Sequence, residues 1–549
     1  MDKMNTDIKE KKSKKEKKIR GIKKRRKVEK EEKSFFWKLK NWWPLSKISG
    51  KIIVGYLLAI FIGGFLLSIP GIVLDKESNW NFITGMFTAS SAISDTGITI
   101  LQTNTQYSFM GQLFILLMIK IGGIGLLTIK IVFLALLNKK ISLDDQYVAK
   151  SERGSGTLGN TVEMIKDAFI FLTTIEIIGS FILFFGFYFT PMATTATFDG
   201  TSFDVTNPYN DFGKSLWFSI FHSVSAVNNA GFDVLSNASL KPYNQTGNSG
   251  YFLQSVFMVQ WIIGGLGYPT YHDIKKKIKA RKSGKTVKFS LFTKLNFVVY
   301  TTLLVMGPVF VIMSETLTLE KSKIMYVDSS LTVKKATAKW IFDVIFNVTS
   351  CRNAGFSTVD INHFTAGSKF IMAIWMFIGS APSSTAGGIR TTTFAICVLA
   401  IFSIIRNKNS VEAFKRKIPD EIVKRSFAVV LISFFIVIAS IFVVYIDSNK
   451  MLDRITVEPI SPGEEGGMEV LGTEHTIIKL IVYVCSAFGT VGFQPFSNAQ
   501  ILEMGVISKM MLVITMFVGQ LGISNTLLAF AKPKNKQNYS YLEEEVTIG

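Results

Sequence analysis

Hydrophobic runs of about 20 residues, the length a helix needs to cross a bilayer, recur near 52–73, 109–137, 168–189, 251–271, 292–313, 368–404, 424–446 and 505–531. Taken in pairs, they enclose shorter amphipathic stretches near 80–92, 213–226, 337–350 and 474–488, too short to cross. Each short stretch runs into a turn of small and polar residues that closes on glycine: Asp95-Thr96-Gly97, Asn229-Ala230-Gly231, Asn353-Ala354-Gly355 and Thr490-Val491-Gly492. The glycines are 134, 124 and 137 residues apart, so the chain reads as four copies of one unit of span, half-helix, polar turn and span. Non-helical backbone at membrane depth is tolerated only where protein buries it or it lines a watery cavity. Four such turns predict a ring of carbonyls around one axis.

The fold class expected is an all-α polytopic membrane protein with eight spans and four re-entrant half-helices around one central pore. The units fall at 49–140, 141–280, 281–410 and 411–531, between an arm over 1–48 and a tail over 532–549. A mean hydropathy of +0.33 and 48% hydrophobic residues are too apolar for a soluble chain of 549 residues. The first forty residues have no short apolar core with a cleavage site, so the first span is expected to be retained.

Charge sets the expected orientation. The net charge is +21, and residues 1–40 hold 18 Lys or Arg against 7 Asp or Glu. Such an arm reads as solvated and disordered; clustered cations beside a bilayer also adhere to anionic lipid. Nucleic acid is not an expected partner. Phe35, Phe36, Trp37, Trp42 and Trp43 would supply an interfacial aromatic belt. The arm, residues 275–294 with nine Lys or Arg, residues 406–425 and the tail all fall on one side, which places both termini in the cytoplasm of a multi-pass plasma-membrane protein. The connection 447–474 is acidic, as an ordinary solvated loop can be, or as a surface that concentrates cations at a pore mouth.

Candidate chemistry is that of ions, not of catalysis. Cys351, Cys397 and Cys485 lie in or beside apolar segments without metal-type spacing, and read as small buried residues. His222, His272, His363 and His475 show no ligand spacing either. There is no phosphate-binding Gly-x-x-x-x-Gly-Lys motif and no dinucleotide fingerprint. A bare monovalent cation, in contrast, must exchange its water shell for several oxygen ligands, and fourfold rings of backbone carbonyls supply them. Glycine allows the φ values that aim successive carbonyls inward. The carboxyl ends of the preceding half-helices would add partial negative charge. A single glycine after a small residue more often serves helix packing; four in matching places are specific.

At these turns the chain resembles the potassium transporters of the Trk/Ktr/HKT superfamily, in particular bacterial KtrB- and TrkH-type membrane subunits. The resemblance rests on Ser91-Ala92-Ile93-Ser94-Asp95-Thr96-Gly97, Ser225-Ala226-Val227-Asn228-Asn229-Ala230-Gly231-Phe232, Arg352-Asn353-Ala354-Gly355-Phe356 and Ser486-Ala487-Phe488-Gly489-Thr490-Val491-Gly492-Phe493, and covers roughly residues 50–531. It implies an ion filter at those turns with potassium as the main permeating ion, a homodimer, and a cytoplasmic RCK-type, KtrA/TrkA-like ring that binds nucleotide on the partner subunits. It also implies a gating loop at 379–393, over Gly379-Ser380-Ala381-Pro382-Ser383-Ser384-Thr385-Ala386-Gly387-Gly388, where proline and glycine rule out a regular helix. A packed kink without a gate is the alternative reading of that stretch, and the family match outweighs it.

Two departures from the family pattern stand out. Family members carry an arginine in a motif resembling Phe-Ile-Gly-Arg-Leu-Gly in the last span; here Gln520 stands in Phe517-Val518-Gly519-Gln520-Leu521-Gly522. Lys120, in Lys120-Ile121-Gly122-Gly123-Ile124-Gly125, is expected either to take over that cationic barrier or simply to pair with a carboxylate. Unchanged flux and gating in Lys120→Gln vesicles would exclude the first. Asp95 stands where Val or Thr is usual, and an intramembrane carboxylate is a functional candidate by default; it could face the ion, bond the pore helix, or answer Lys120 or Arg352. Asn353, where Thr is usual, also bears on selectivity, and Glu176 reads as a helix-to-helix bond. The function expected is potassium uptake without an enzyme activity, the alternatives being a sodium-permeable or sodium-coupled transporter of the same fold, a broken-helix secondary carrier, or a polytopic membrane enzyme.

Overall fold

The computed structural model describes residues 48–523 and 526, apart from 75–81, 127, 138, 154–157, 196–201, 245–247, 319–321, 326–332, 454–457, 460–467 and 470–472. The basic arm with its aromatic belt, the C-terminal tail, and Glu464 and Glu465 of the acidic connection lie outside the described residues.

The helices come in a recurring order. A long helix (Ile48–Leu67, Leu158–Phe189, Leu291–Leu317, Asp420–Asp447) is followed by a shorter one (Phe82–Ile93, Phe212–Val227, Val333–Ser350, Thr473–Gly489), and then by an interrupted one. Among the described residues, four helices are long and apolar enough to cross a membrane, or five when Phe109–Ile124 and Thr128–Leu136, bent by 83°, count as one. The difference from the eight predicted runs lies in the second member of each pair, which is never one straight long helix. Asn248–Gly264 gives way to Tyr268–Lys282, Ala366–Phe377 to Thr391–Ile405, and Val506–Leu521 stops at Gly522. The chain turns through positive φ at Gly125 (100°), Gly267 (82°), Gly388 (76°) and Gly522 (78°), a region that side-chain-bearing residues rarely adopt. The irregular stretch of the third unit runs from Ile378 to Arg390, and helix resumes at Thr391, so it ends sooner than the expected 393.

Beside a buried apolar core, two features depart from a soluble protein. Leu57, Phe61, Phe65, Phe181, Phe435 and Phe442 are exposed on the long helices, whereas Thr84, Thr88, Ser90 and Ser91 of the first short helix are fully buried. That is the pattern of a protein that faces lipid and keeps its polar groups inside. Small residues bring the backbones together: a Cβ on Gly85 would lie 2.9 Å from Gly64 O. A two-residue-per-strand hairpin, Glu412–Ala413 with Arg416–Lys417, joins the third and fourth units through Phe414 and Lys415, both at positive φ.

Candidate functional site

Three of the four short helices end identically. Asp95, Asn229 and Thr490 sit in the left-handed region at φ 52°, 59° and 50°. Their N–H groups donate three residues back, to Ala92, Ala226 and Ala487 O at 3.3, 3.1 and 3.3 Å. The next N–H donates five residues back: Thr96 to Ser91 O at 2.8 Å, Ala230 to Ser225 O at 2.8 Å and Val491 to Ser486 O at 2.9 Å. This is the Schellman ending, whose left-handed residue is ordinarily Gly or Asn. Asp and Asn tolerate the conformation; a β-branched Thr is strained by it. The third turn differs, because Ala354 N–H donates four residues back to Ser350 O at 2.8 Å and Asn353 keeps a negative φ.

Beyond these endings the turns form a closed cycle. A Cβ on Gly97 would lie 2.5 Å from Ala230 O, one on Gly231 2.8 Å from Ala354 O, and one on Gly492 2.6 Å from Thr96 O, while one on Gly355 would overlap Val491 O. Each unit's glycine thus faces the carbonyl of the next unit's turn, and the fourth returns to the first. All four glycines, with positive φ between 67° and 106°, line one cavity of about 480 Å³. Asp233 and Asp360 also line it. Burial raises the pKa of Asp360, but Lys241 2.8 Å away, His363 and the Asn362 N–H outweigh it and hold the carboxyl well below the usual carboxylate range.

The residue three before each glycine anchors its turn outward. Ser94 Oγ donates to Ser90 O at 2.7 Å and meets Thr96 Oγ1 at 2.6 Å. Asn228 Nδ2 donates to Glu176 Oε1 at 2.8 Å. Arg352, 1% exposed, donates to Tyr300 O at 3.3 Å and Gly379 O at 2.8 Å and lies over the Tyr300 ring. It does not pair with Asp95. Gly489 has no side chain because Met376 O occupies the space.

The residue two before each glycine points instead to the interrupted helices. Gln520 Nε2 donates to Asp95 Oδ2 at 3.2 Å, Asn229 Nδ2 to Thr385 Oγ1 at 2.6 Å, Asn353 Nδ2 to Ser380 Oγ at 2.8 Å, and Gly387 N–H to Thr490 Oγ1 at 2.7 Å. Three of these four bonds go to the expected gating loop and the fourth to Gln520, which itself donates to Thr385 O at 2.9 Å. The loop's backbone docks on the breaks of the second and fourth units, through Ala381 N–H to Gly265 O, Tyr268 N–H to Ser383 O and Gly388 N–H to Gly519 O. Ser380, Ser384, Thr385 and Ala386 are fully buried. A second cavity, of about 460 Å³, touches Ser383, Gly388, Arg390 and Gln520 and shares no lining residue with the first.

Lys120 is elsewhere. Its ammonium meets Glu176 at 2.5 and 2.6 Å and Thr173 at 3.5 Å, not Asp95 or Gln520, because a half-buried ammonium takes the carboxylate that packing brings to it. The cation beside Gln520 is Arg390, which donates to Gln520 O at 2.6 Å and to Ala386 O. The sequence reading did not assign Arg390 a role, nor the second-unit break at Gly264-Gly265-Leu266-Gly267. The recurrence of Gly-Gly-x-Gly there and at Gly122-Gly123-Ile124-Gly125 was the available signal. Gly122, Gly264 and Gly519 each face the last carbonyls of a short helix, at Ile93, Val227 and Phe488, where a Cβ would overlap.

A mostly helical, multi-pass membrane scaffold that closes four polar turns into one ring defines a transport protein rather than an enzyme. The chain belongs to the TrkH family of cation transport proteins, whose model matches residues 66–457. It is 32% identical to an uncharacterized cation transporter of Mycoplasma genitalium, over 93% of this chain and 99% of that protein. It is 27% identical to the Ktr system potassium uptake protein D of Bacillus subtilis, over 91% and 96%, and 28% identical to the potassium/sodium uptake protein NtpJ of Enterococcus hirae, also over 91% and 96%. The crystal structure of the potassium transporter TrkH from Vibrio parahaemolyticus shares the fold, with a TM-score of 0.56 over 87% of this chain and 84% of that one at 14% identity.

Proposed function

We propose that this protein is the membrane subunit of a potassium-uptake system, with the cyclic ring at Gly97, Gly231, Gly355 and Gly492 as its selectivity filter. The carrying observation is that each glycine faces the carbonyl of the neighbouring unit's turn and that all four line one shared cavity. A dehydrating cation there exchanges water for the carbonyls of Thr96, Ala230, Ala354 and Val491. In this reading the interrupted helices count as spans, giving eight in the units 49–140, 141–280, 281–410 and 411–531, with both termini cytoplasmic. Asp233 and Asp360 favour cations at the outer mouth. The buried stretch 379–390 is the gate. It lies between the ring and the second cavity, held by Asn229, Asn353, Thr490 and Gln520, and a cytoplasmic nucleotide-binding ring on a homodimer of this chain moves it.

Growth rescue of a potassium-uptake-deficient bacterium, with and without external sodium, tests the reading. Rescue by the full chain with its cytoplasmic partner is expected; failure to rescue with a cognate partner present counts against it. A sodium-permeable variant of the same function is favoured by one observation, the fully buried Asp95 at the ring's base. Asp95→Asn keeps a residue suited to the left-handed φ, so the fold should persist while the permeability ratio shifts toward potassium. An unchanged ratio excludes an ion-facing role for the carboxylate.

A further inference from the structure

Glu176 lies on Leu158–Phe189, outside the lining of either cavity, with a side chain only 6% exposed. A carboxylate at that depth is costly unless it is paired or used. Its Oε1 accepts from Lys120 Nζ at 2.6 Å and from Asn228 Nδ2 at 2.8 Å, and its Oε2 from Lys120 at 2.5 Å. Its main-chain O accepts from Ser223 Oγ at 2.7 Å, and Ser223 in turn accepts from Gln260 Nε2 at 2.7 Å. One residue therefore joins the first unit's interrupted helix, the second unit's long helix and the second unit's turn.

Asn228 is the end that matters. It caps Phe212–Val227 and stands two residues before Ala230, whose carbonyl faces Gly97. Its second amide N–H donates to Val224 O at 2.8 Å, and its Oδ1 occupies the space a Cβ on Gly123 would need. Both donors are committed and the oxygen is wedged, so the carboxylate fixes how the side chain lies. The other turns are anchored by different means: Ser94 locally, Arg352 by main-chain carbonyls, Gly489 by close packing.

We propose that Glu176 is a positioning residue for cation selectivity: with its charge balanced by Lys120, it holds Asn228 and so places the Ala230 carbonyl in the ring. The proposal rests on the potassium-filter reading. Lys120 here neutralises Glu176 and does not act as a barrier to the ion. What the second turn requires is an acceptor at residue 176, and the charge itself is required only because Lys120 is there.

Two neutral double variants separate these roles. Lys120→Met with Glu176→Gln removes both charges and keeps an oxygen acceptor for Asn228; Lys120→Met with Glu176→Leu removes both charges and the acceptor. The measurement is thermal stabilisation of the full chain in detergent by K+ and by Na+, giving a ratio of apparent affinities that needs no transport. The Gln double variant should keep the unmodified ratio. The Leu double variant should lose about tenfold of it, the upper size of one ordinary buried hydrogen bond. Asn228→Ala should match the Leu double variant, and the three changes together should lower the ratio no further. Restoring a neutral acceptor one methylene shorter, with Glu176→Asn in place of Leu, should recover part of it. Equal ratios in the two double variants, or additive effects with Asn228→Ala, would overturn the proposal. No stabilisation of the unmodified chain by either cation would instead count against the potassium reading.

Discussion

The main-chain N–H of Gly387 donates to the hydroxyl of Thr490 at 2.7 Å, and Thr490 is held at φ 50°, a conformation that strains a β-branched residue. The bond reaches from the irregular stretch of the third unit to the turn of the fourth. It gives Thr490 a reason to be there that helix-ending geometry alone would not, since Gly or Asn would end the helix at lower cost.

Thr490→Val keeps the shape and removes the acceptor, leaving a buried N–H unpaired at a cost of about 1–3 kcal/mol. The stretch should loosen, and passive cation flux through vesicles holding the full chain without cytoplasmic partners should rise. Thr490→Ser should behave as the unmodified chain. Equal flux for all three would show that the bond does not hold the gate shut.

Glycine positions that share a positive φ should differ sharply in tolerance. Gly97→Ala and Gly492→Ala would put a Cβ 2.5 and 2.6 Å from a neighbouring turn's carbonyl, so potassium uptake should be lost. Gly71, at φ 88°, has nothing within 4 Å of such a Cβ; Gly71→Ala should cost only the left-handed backbone penalty, about 1–2 kcal/mol, and keep uptake. Rescue assays on expression-matched variants check the contrast.

Arg352 serves two carbonyls from a fully desolvated site. Arg352→Gln should lower the thermal midpoint in detergent by the equivalent of about 2–4 kcal/mol, because charged hydrogen bonds are lost and acceptors left unpaired. Arg352→Lys, a point donor without the planar fork, should fall between the two. A midpoint for Lys equal to that for Arg would mean that charge alone, and not the fork, secures the third turn.

In the proposed reading, Asp360 at the outer mouth should keep its charge on mild acidification. Asp360 has its pKa depressed beside Lys241, so its stabilising contribution is present above the unfolded carboxylate pKa near ~3.9 and is lost only as pH falls through the lower folded value. Between external pH 7 and 5, cation uptake should therefore be insensitive to Asp360. In Lys241→Met the carboxyl loses its main counter-charge while burial still raises its pKa, so the acid limb of the uptake profile should move to higher pH. A profile unchanged by the substitution would remove the pair from the mouth's electrostatics.

The repeat and its punctuation were legible because they are local properties. Run lengths located the helices, and Asp95, Asn229, Asn353 and Thr490 were identifiable by standing two before a glycine at matching intervals. The count of long helices was not legible, since a hydrophobic run such as 251–271 reads as one span whether or not Gly267 breaks it at φ 82°. Nor was the distinct ending of the third turn, where Asn353 looks in sequence like Asn229 but keeps a negative φ.

Sequence by itself determined that four glycine-closed turns exist, that the third interrupted helix cannot be regular around Pro382, and that Lys120, Glu176, Asp95 and Arg352 sit at depths where charge needs an answer. Only the tertiary structure decided which answer each receives: Glu176 for Lys120, main-chain carbonyls for Arg352, Gln520 for Asp95. The physical reason is that hydrophobic pattern and glycine act through neighbouring residues, and so are written in the chain order. A buried charge bonds whatever group packing carries within about 3 Å of it, and for Asp95 that group is 425 residues away.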